Sequence, residues 1–416
     1  MSIDAAASPD RAIERVARES YGRLVAYLSV RTGDVASAED ALSEAMIRAL
    51  ASWPRDGVPG SPEAWLLSTA RHALIDMMRR QRVALATAES ASLLRRPDRE
   101  PGFPDERLKL LFICAHPAID SAIHTPLMLQ TVLGLDAARI ASAFLISPKT
   151  MGQRLVRAKT KIRSGGLRFE IPERRHLPQR LQAVLEAIYA AFGIAWDEAG
   201  ADESGRDLAE EAVWLARMVL QLLPHEAEVY GLLALMLHCE ARRAARRGAN
   251  GEYIPLARQD PTRWSAALID EAEQLLVKAA QFRRPGRFQW EAAIQSVHAE
   301  RIRGRATDWH GIACFYEQLA RLSRGLGART GYAAAIAKCN GPQAGLAVLD
   351  EIEKTSERSL FTVYQPFWAV RAHLLEASGK RIEALEAYDM AIGLSRDAAV
   401  REFLHGERAK ILSPAV

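Results

Sequence analysis

One segment constrains this chain more than any other: residues 135–163, LDAARIASAFLISPKTMGQRLVRAKTKIR. Ser147 followed by Pro148 marks a helix start, because a serine side chain caps free N–H groups and proline suits the first helical position. From there Met151, Leu155, Ala158 and Ile162 recur at i, i+4, i+7 and i+11, one apolar stripe on a helix predicted over Pro148–Arg163. A shorter helix over Asp136–Phe144, with Ile140 and Phe144 turned inward, precedes it, and a tight turn through Ile146 joins the two. Lys149, Gln153, Arg157 and Thr160 fall opposite the stripe, with Thr150, Arg154 and Lys161 on the flank. This pattern reads as a helix-turn-helix whose second helix offers long donors to a major groove. Arginine and glutamine pair with base edges, and Lys149 and Lys161 suit phosphates. A merely solvated basic face would give no reason for cap, turn, stripe and polar face to agree.

The rest of the sequence is helical in pattern too. Aromatic residues are only 7% of the chain, against 49% hydrophobic and 25% charged, the balance of a water-soluble, helix-rich protein. At 416 residues it is too long for one ordinary domain. Helical periodicity runs from Pro9 to Trp53, and Pro54–Gly60 reads as a loop. Ser61-Pro62 opens another helix, to Arg82. Residues 83–104 end in RRPDREPGFP, an extended linker. Helices resume from Asp105 to Gly165, and from Pro172 one amphipathic helix follows another. Near the end Ala369, Ala372, Leu375, Gly379, Glu383, Ala384, Tyr388, Ala391 and Ile392 fall where a tetratricopeptide-type helix pair places them. Ala335–Leu349, around Gly341-Pro342, and Asp207–His238 read as weaker units. The expected fold class is all-α: small helical modules over residues 9–82 and 105–170, a linker over 83–104, and a helical-repeat domain over 171–416.

A second informative segment is Ser37–Arg82. Asp40 and Glu44 lie at i, i+4 on one helix face. No histidine, lysine or metal cluster accompanies them, so a protein-binding edge fits better than acid–base chemistry. The loop Trp53–Gly60 carries Arg55 and Asp56. The helix after it carries Trp65, Arg71, His72, Asp76, Arg79, Arg80 and Arg82. Basic residues at a helix C-terminus complement its dipole, which is the bland reading of Arg79-Arg80. The functional reading is that loop and helix hold an opened DNA strand. About 26 of the 55 lysines and arginines fall in residues 1–176, with about 20 of the 51 acidic residues, so the basic excess lies in the front half.

Cys114, Cys239, Cys314 and Cys339 form no C-x-x-C pair and read as buried small hydrophobes. No phosphate loop, metal spacing or nucleophile elbow is found, so the chain reads as a non-enzyme without metal or cofactor. No signal peptide or apolar run of membrane-spanning length stands out, which points to the cytoplasm.

Taken in order, an acidic helix, a Trp-Pro loop, a Trp-Leu helix ending in Arg-Arg, a Pro-rich linker and a helix-turn-helix ending RLVRAKTKIR resemble the extracytoplasmic-function (ECF) group of RNA polymerase sigma factors. The stretches WPRDGVP, ALMLHCEARRAARR, PGRFQWEAAI and GPQAGLAVLDE resemble a subgroup with a C-terminal helical-repeat extension. The resemblance implies that Glu39, Asp40 and Glu44 dock on the β′ clamp helices of core RNA polymerase, and that the recognition module meets the β flap. It implies that the loop Trp53–Gly60 and the helix Ser61–Arg82 melt and read the −10 promoter element, and that Pro148–Arg163 reads the −35 element. It further implies a regulatory role for the repeat domain, through contacts within the chain or with another protein. Ser43 stands where the family usually carries glutamine. Ile188–Ala195 and Thr330–Ala333 replace stretches that are more polar in relatives. The alternative reading is a helix-turn-helix regulator whose repeat domain senses a ligand without docking on polymerase.

Overall fold

The computed structural model describes residues 9–84, 105–164, 172–198, 203–322, 325–355 and 361–412, and the described residues are helical without any β-strand. The chain divides into two compact units, Met1–Ala191 and Phe192–Val416.

In the first unit α1 (Pro9–Thr32) ends at Gly33, whose φ of +68° is costly for any residue with a Cβ. Asp34 then accepts from the N–H groups of Ala36 (3.1 Å) and Ser37 (3.3 Å) and starts α2 (Val35–Asp56). The sequence predicts a break at Pro54, yet α2 runs on to Asp56 and closes where the Gly57 N–H meets the Trp53 carbonyl at 3.0 Å. Proline forfeits one backbone bond there, worth about 1 kcal/mol net. Trp53 is 2% exposed and meets the Trp65 ring edge-on at 5.6 Å. Burying such a side chain stabilises by roughly 2–3 kcal/mol, enough to hold the last turn. The loop shrinks to residues 57–61, and α3 (Pro62–Ala84) returns along α2 and α1.

Between Leu108 and Cys114 every residue of α4 (Glu106–Cys114) except Lys109 is buried. A helix apolar on all sides needs partners on all sides. Here α1 runs along it, α5 (Ser121–Thr131) packs beside it, and Arg180 donates to the Phe112 carbonyl at 2.9 Å. Helices α6 (Ala137–Ala143) and α7 (Pro148–Ser164) complete this part. Arg180 belongs to α8 (Leu177–Glu198), within which the division between the units falls. The first unit thus extends past residue 170, where its last module was expected to end.

The second unit, taken by itself, is a succession of helix pairs: α9 (Glu203–Leu222), α10 (Ala227–Ala241), α11 (Ala266–Gln281), α12 (Arg287–Ala299), α13 (Trp309–Leu322), α14 (Leu326–Asn340), α15 (Pro342–Thr355), α16 (Gln365–Ala377), α17 (Arg381–Leu394) and α18 (Ala398–Leu412). Gly379 takes φ +75° at the turn between α16 and α17. Gly345 lets α15 approach α14 so closely that a Cβ would sit 2.7 Å from the Ala333 carbonyl oxygen. Tyr388 is buried and donates to the Glu376 carboxylate at 2.7 Å. Trp264 is buried, and Trp290, Trp309 and Trp368 are half-buried against apolar clusters, so these rings serve the core. Trp196 is half-buried under the Arg246 and Arg243 guanidinium groups, 4.7 and 5.4 Å away. The cysteines correct the expectation in part: Cys114 is buried and Cys239 and Cys339 half-buried, but Cys314 faces solvent. No described helix is long and apolar enough to cross a membrane.

Candidate nucleic-acid interface

Local hydrogen bonds build the α6–turn–α7 element. Asp136 accepts from the N–H groups of Ala138 (2.8 Å) and Arg139 (2.9 Å). Ser147 Oγ accepts from the Thr150 N–H at 3.1 Å and lies 2.8 Å from the Thr150 hydroxyl. The turn is tight enough to force Leu145 into the left-handed region, at φ +53°. Ile140, Met151, Leu155 and Ile162 are buried, so the stripe anchors α7. Phe144, expected inward, is 36% exposed because it caps the C-terminus of α6 at the turn. Lys149, Gln153, Arg154, Arg157 and Lys161 stand exposed on α7, and Thr150 is half-buried beside Ser147. Val156, 65% exposed among these donors, is an apolar side chain that sequence reasoning passed over. A lone valine on a polar face breaks the stripe pattern, which was its one available signal.

On α2 the three acids separate. Asp40 is exposed, and Glu44 accepts from Arg48 at 2.5 Å one turn on. Glu39 is turned inward, 13% exposed, and takes the ammonium of Lys159 from α7. Burial pushes the Glu39 carboxyl above its usual range, and Lys159 works against that rise. Burial raises the Tyr21 hydroxyl as well, with the negative charges of Glu39 and Asp40 adding to it. Cys114, wholly buried, is pushed up to about 12. Ile47 and Leu50 are 65% and 50% exposed on α2, next to Glu44 and Arg48. These two apolar residues also went unread in the sequence, hidden in a helix taken as amphipathic throughout.

Around the loop, Arg55 and Asp56 are exposed, and Arg55 Nε donates to the Ala51 carbonyl at 3.1 Å. Trp65 is half-buried, its ring edge-on to that of Trp53. Arg71 is exposed but committed: it lies over the Tyr27 ring at 5.2 Å and donates to the Tyr27 hydroxyl. His72 and Asp76 are exposed on α3. Arg79, Arg80 and Arg82 lie on the last turns of α3, and their side chains fall outside the described residues. Among the described residues no three His, Cys, Asp or Glu side chains gather as a metal site would require.

Residues 16–83 match Sigma-70 region 2, the span of α1 to α3. The probable RNA polymerase sigma-C factor of Mycobacterium bovis is 30% identical over 165 residues, which is 38% of this chain and 85% of that protein. The chain belongs to the RNA polymerase sigma factors. The ECF RNA polymerase sigma factor SigC of Mycobacterium tuberculosis matches this sigma factor equally, at 30% over 165 residues, 38% of this chain and 85% of the relative. A protein of Rhizobium meliloti described as uncharacterized is 36% identical over 405 residues, 95% of this chain and 94% of its own. Residues 180–280 match a family of unknown function, beginning within α8. As a sigma factor, the chain has core RNA polymerase as its partner.

Proposed function

We propose that the chain is a cytoplasmic sigma factor of the ECF type, one that directs core polymerase to specific promoters and carries a tetratricopeptide-like regulatory domain. The observation that carries this reading is the pairing, in one compact unit, of the region-2 helices with a capped, apolar-anchored α7 that exposes Lys149, Gln153, Arg154 and Arg157. In this reading α6 and α7 are a helix-turn-helix. Arg154, Arg157 and Gln153 meet base edges of the −35 element, Val156 suits a thymine methyl, and Lys149, Thr150 and Lys161 meet phosphates. Residues 57–61, with Arg55, Asp56, Trp65, Arg71, His72 and the arginines at 79, 80 and 82, serve the −10 element. Asp40, Glu44, Ile47 and Leu50 form the polymerase-facing side of α2, an apolar pair ringed by charge. The helix pairs after Ala191 modulate activity.

Two unlike DNA-facing modules suit two unlike promoter elements, whereas a repressor uses one helix-turn-helix and a dimer to span two half-sites. The test is reconstitution with core polymerase on genomic fragments, followed by mapping of transcript starts. Specific starts that need this chain support the reading. Tight, specific duplex binding by the chain alone, with no association with core, would leave it a free-standing regulator.

A further inference from the structure

Two residues on the exposed face of α7 are poor helix formers that the packing of the chain does not ask for. Val156 is β-branched and 65% exposed. Gly152 is the weaker helix former of the two, and a Cβ built there would meet no atom within 4 Å. Other helix glycines answer to packing: at Gly22 a Cβ would lie 1.8 Å from the Val132 carbonyl oxygen, and at Gly345 2.7 Å from that of Ala333. Gly193, Gly393 and Gly406 are as open as Gly152, and what distinguishes Gly152 is its setting. Lys149 and Val156 lie one turn to either side of it and Gln153 next to it, all three exposed.

The exposed face of α7 is therefore lopsided. At about 3.6 residues per turn Gly152 and Val156 form one edge, Arg154, Arg157 and Lys161 the other, and Gln153 and Thr160 run between them. A helix with its side chains is about 10–12 Å across and the major groove about 12 Å wide, so the fit leaves little room. An edge without a side chain lets the backbone of α7 come closer to the duplex there, while the long side chains of the other edge span the distance added on their side. The closer seat matters most to Val156, whose short side chain touches a base only from nearby. Residues three apart on a helix have Cβ atoms about 5–6 Å apart, so Gln153 and Val156 together cover neighbouring base pairs, stacked about 3.4 Å apart. Glutamine pairs with N6 and N7 of adenine together, and an apolar side chain suits the thymine methyl group. We infer that Gly152 is a specificity-determining residue: by seating this edge of α7 closely, it sets Gln153 on an adenine and Val156 on the thymine methyl of the next base pair, so that two adjacent A·T pairs belong to the −35 element. The inference rests on the promoter-binding reading above and adds to it which bases are read and what brings the helix to them.

The test uses the full-length chain assembled with core polymerase, first on duplexes randomised across the −35 element and then on the selected promoter with single atoms removed. The wild-type holoenzyme is expected to select two neighbouring A·T pairs. Deoxyuracil in place of thymine removes the methyl group alone and should weaken binding about fourfold in the wild type but not in Val156→Ala. An adenine analogue lacking N7 should weaken it at least about fivefold in the wild type but not in Gln153→Ala. Gly152→Ala should raise the Tm by about 2–4 °C, as helix propensity dictates, yet bind the selected promoter at least about tenfold less tightly and lose the response to deoxyuracil. A purely structural role would move stability and recognition together. Selection of other base pairs, a wild-type holoenzyme indifferent to deoxyuracil, or a Gly152→Ala chain that melts lower or binds as the wild type does overturns the inference and leaves the sigma reading standing. No association with core, or binding indifferent to the whole −35 element, overturns the promoter-binding reading and the inference with it.

Discussion

His238 is 1% exposed, and neither ring nitrogen has a hydrogen-bond partner. Glu273 lies 3.5 Å from Nε2 and would favour a charged ring, but burial outweighs it and Arg242 opposes a second positive charge, so the pKa falls to about 3. Burial lowers His298, beside Trp309, to about 4. The folded chain therefore takes up these protons only in strong acid, whereas the unfolded chain takes them up near 6.5. Stability from this source is complete above about pH 6.5 and falls as pH drops below it, approaching 1.4 kcal/mol per pH unit for each histidine. His238→Met is expected to flatten the decline between about pH 6.5 and 5, above the carboxylate range, as read by denaturant unfolding at each pH. An unchanged slope would place the proton uptake elsewhere. Gly22→Ala tests a different residue-level argument. Its methyl would meet the Val132 carbonyl, and overpacking of that kind costs about 1–3 kcal/mol, visible as a lower Tm of the full-length chain.

At the scale of the element, what the sequence revealed was local and what it withheld was distant. Asp136, Ser147 and Pro148 announce α6 and α7 because caps act within three residues, and α7 ends at Ser164, one residue past the expected Arg163. Pro54 misled, since the burial of Trp53 that carries α2 through it depends on Trp65 in another helix. The run LKLLFIC was read as part of a helix, but nothing local says that α1 will cover it. Glu39 looked like Asp40 and Glu44 until Lys159 supplied its partner. Residues 242–265, which join α10 to α11, show the same dependence. They hold short 3-10 turns and one isolated bridge between Arg247 and Tyr253, and arginines help to fix them. Arg301 donates to the carbonyls of Leu256 (2.7 Å) and Gln259 (2.8 Å) and lies over the Trp264 ring at 5.2 Å. Arg258 instead pairs with Glu407 of α18 from a side chain that is 56% exposed. Part-buried carbonyls that lose a charged donor cost about 1.5–3 kcal/mol, while an exposed ion pair contributes at most about 1. Arg301→Ala should thus destabilise the chain well beyond Arg258→Ala in chemical denaturation, and equal losses would refute that ordering.

Across the whole molecule, the useful boundary is where the first unit stops needing the rest. Sequence composition put it near residue 171, before the amphipathic helices begin. The structure puts it between Ala191 and Phe192, within α8, whose Arg180 donates to the carbonyl of Phe112 on the buried α4. The family of unknown function also begins inside this helix, at residue 180, so α8 carries sequence common to that family as well as a contact of the first unit. Two truncations separate these roles. A chain ending at residue 171 loses the donor to the Phe112 carbonyl, which should lower its Tm by several degrees, as expected for a loss of about 1–2 kcal/mol from a unit of this size. A chain ending at Glu198 keeps α8 and should melt as the first unit does in the full-length protein. If the helix pairs beyond it are regulatory, this longer truncation will bind core polymerase but initiate at a changed rate. If both truncations melt alike, α8 belongs to the second unit alone. The shorter chain would then be the right one for asking what the helices of the second unit contribute to transcription.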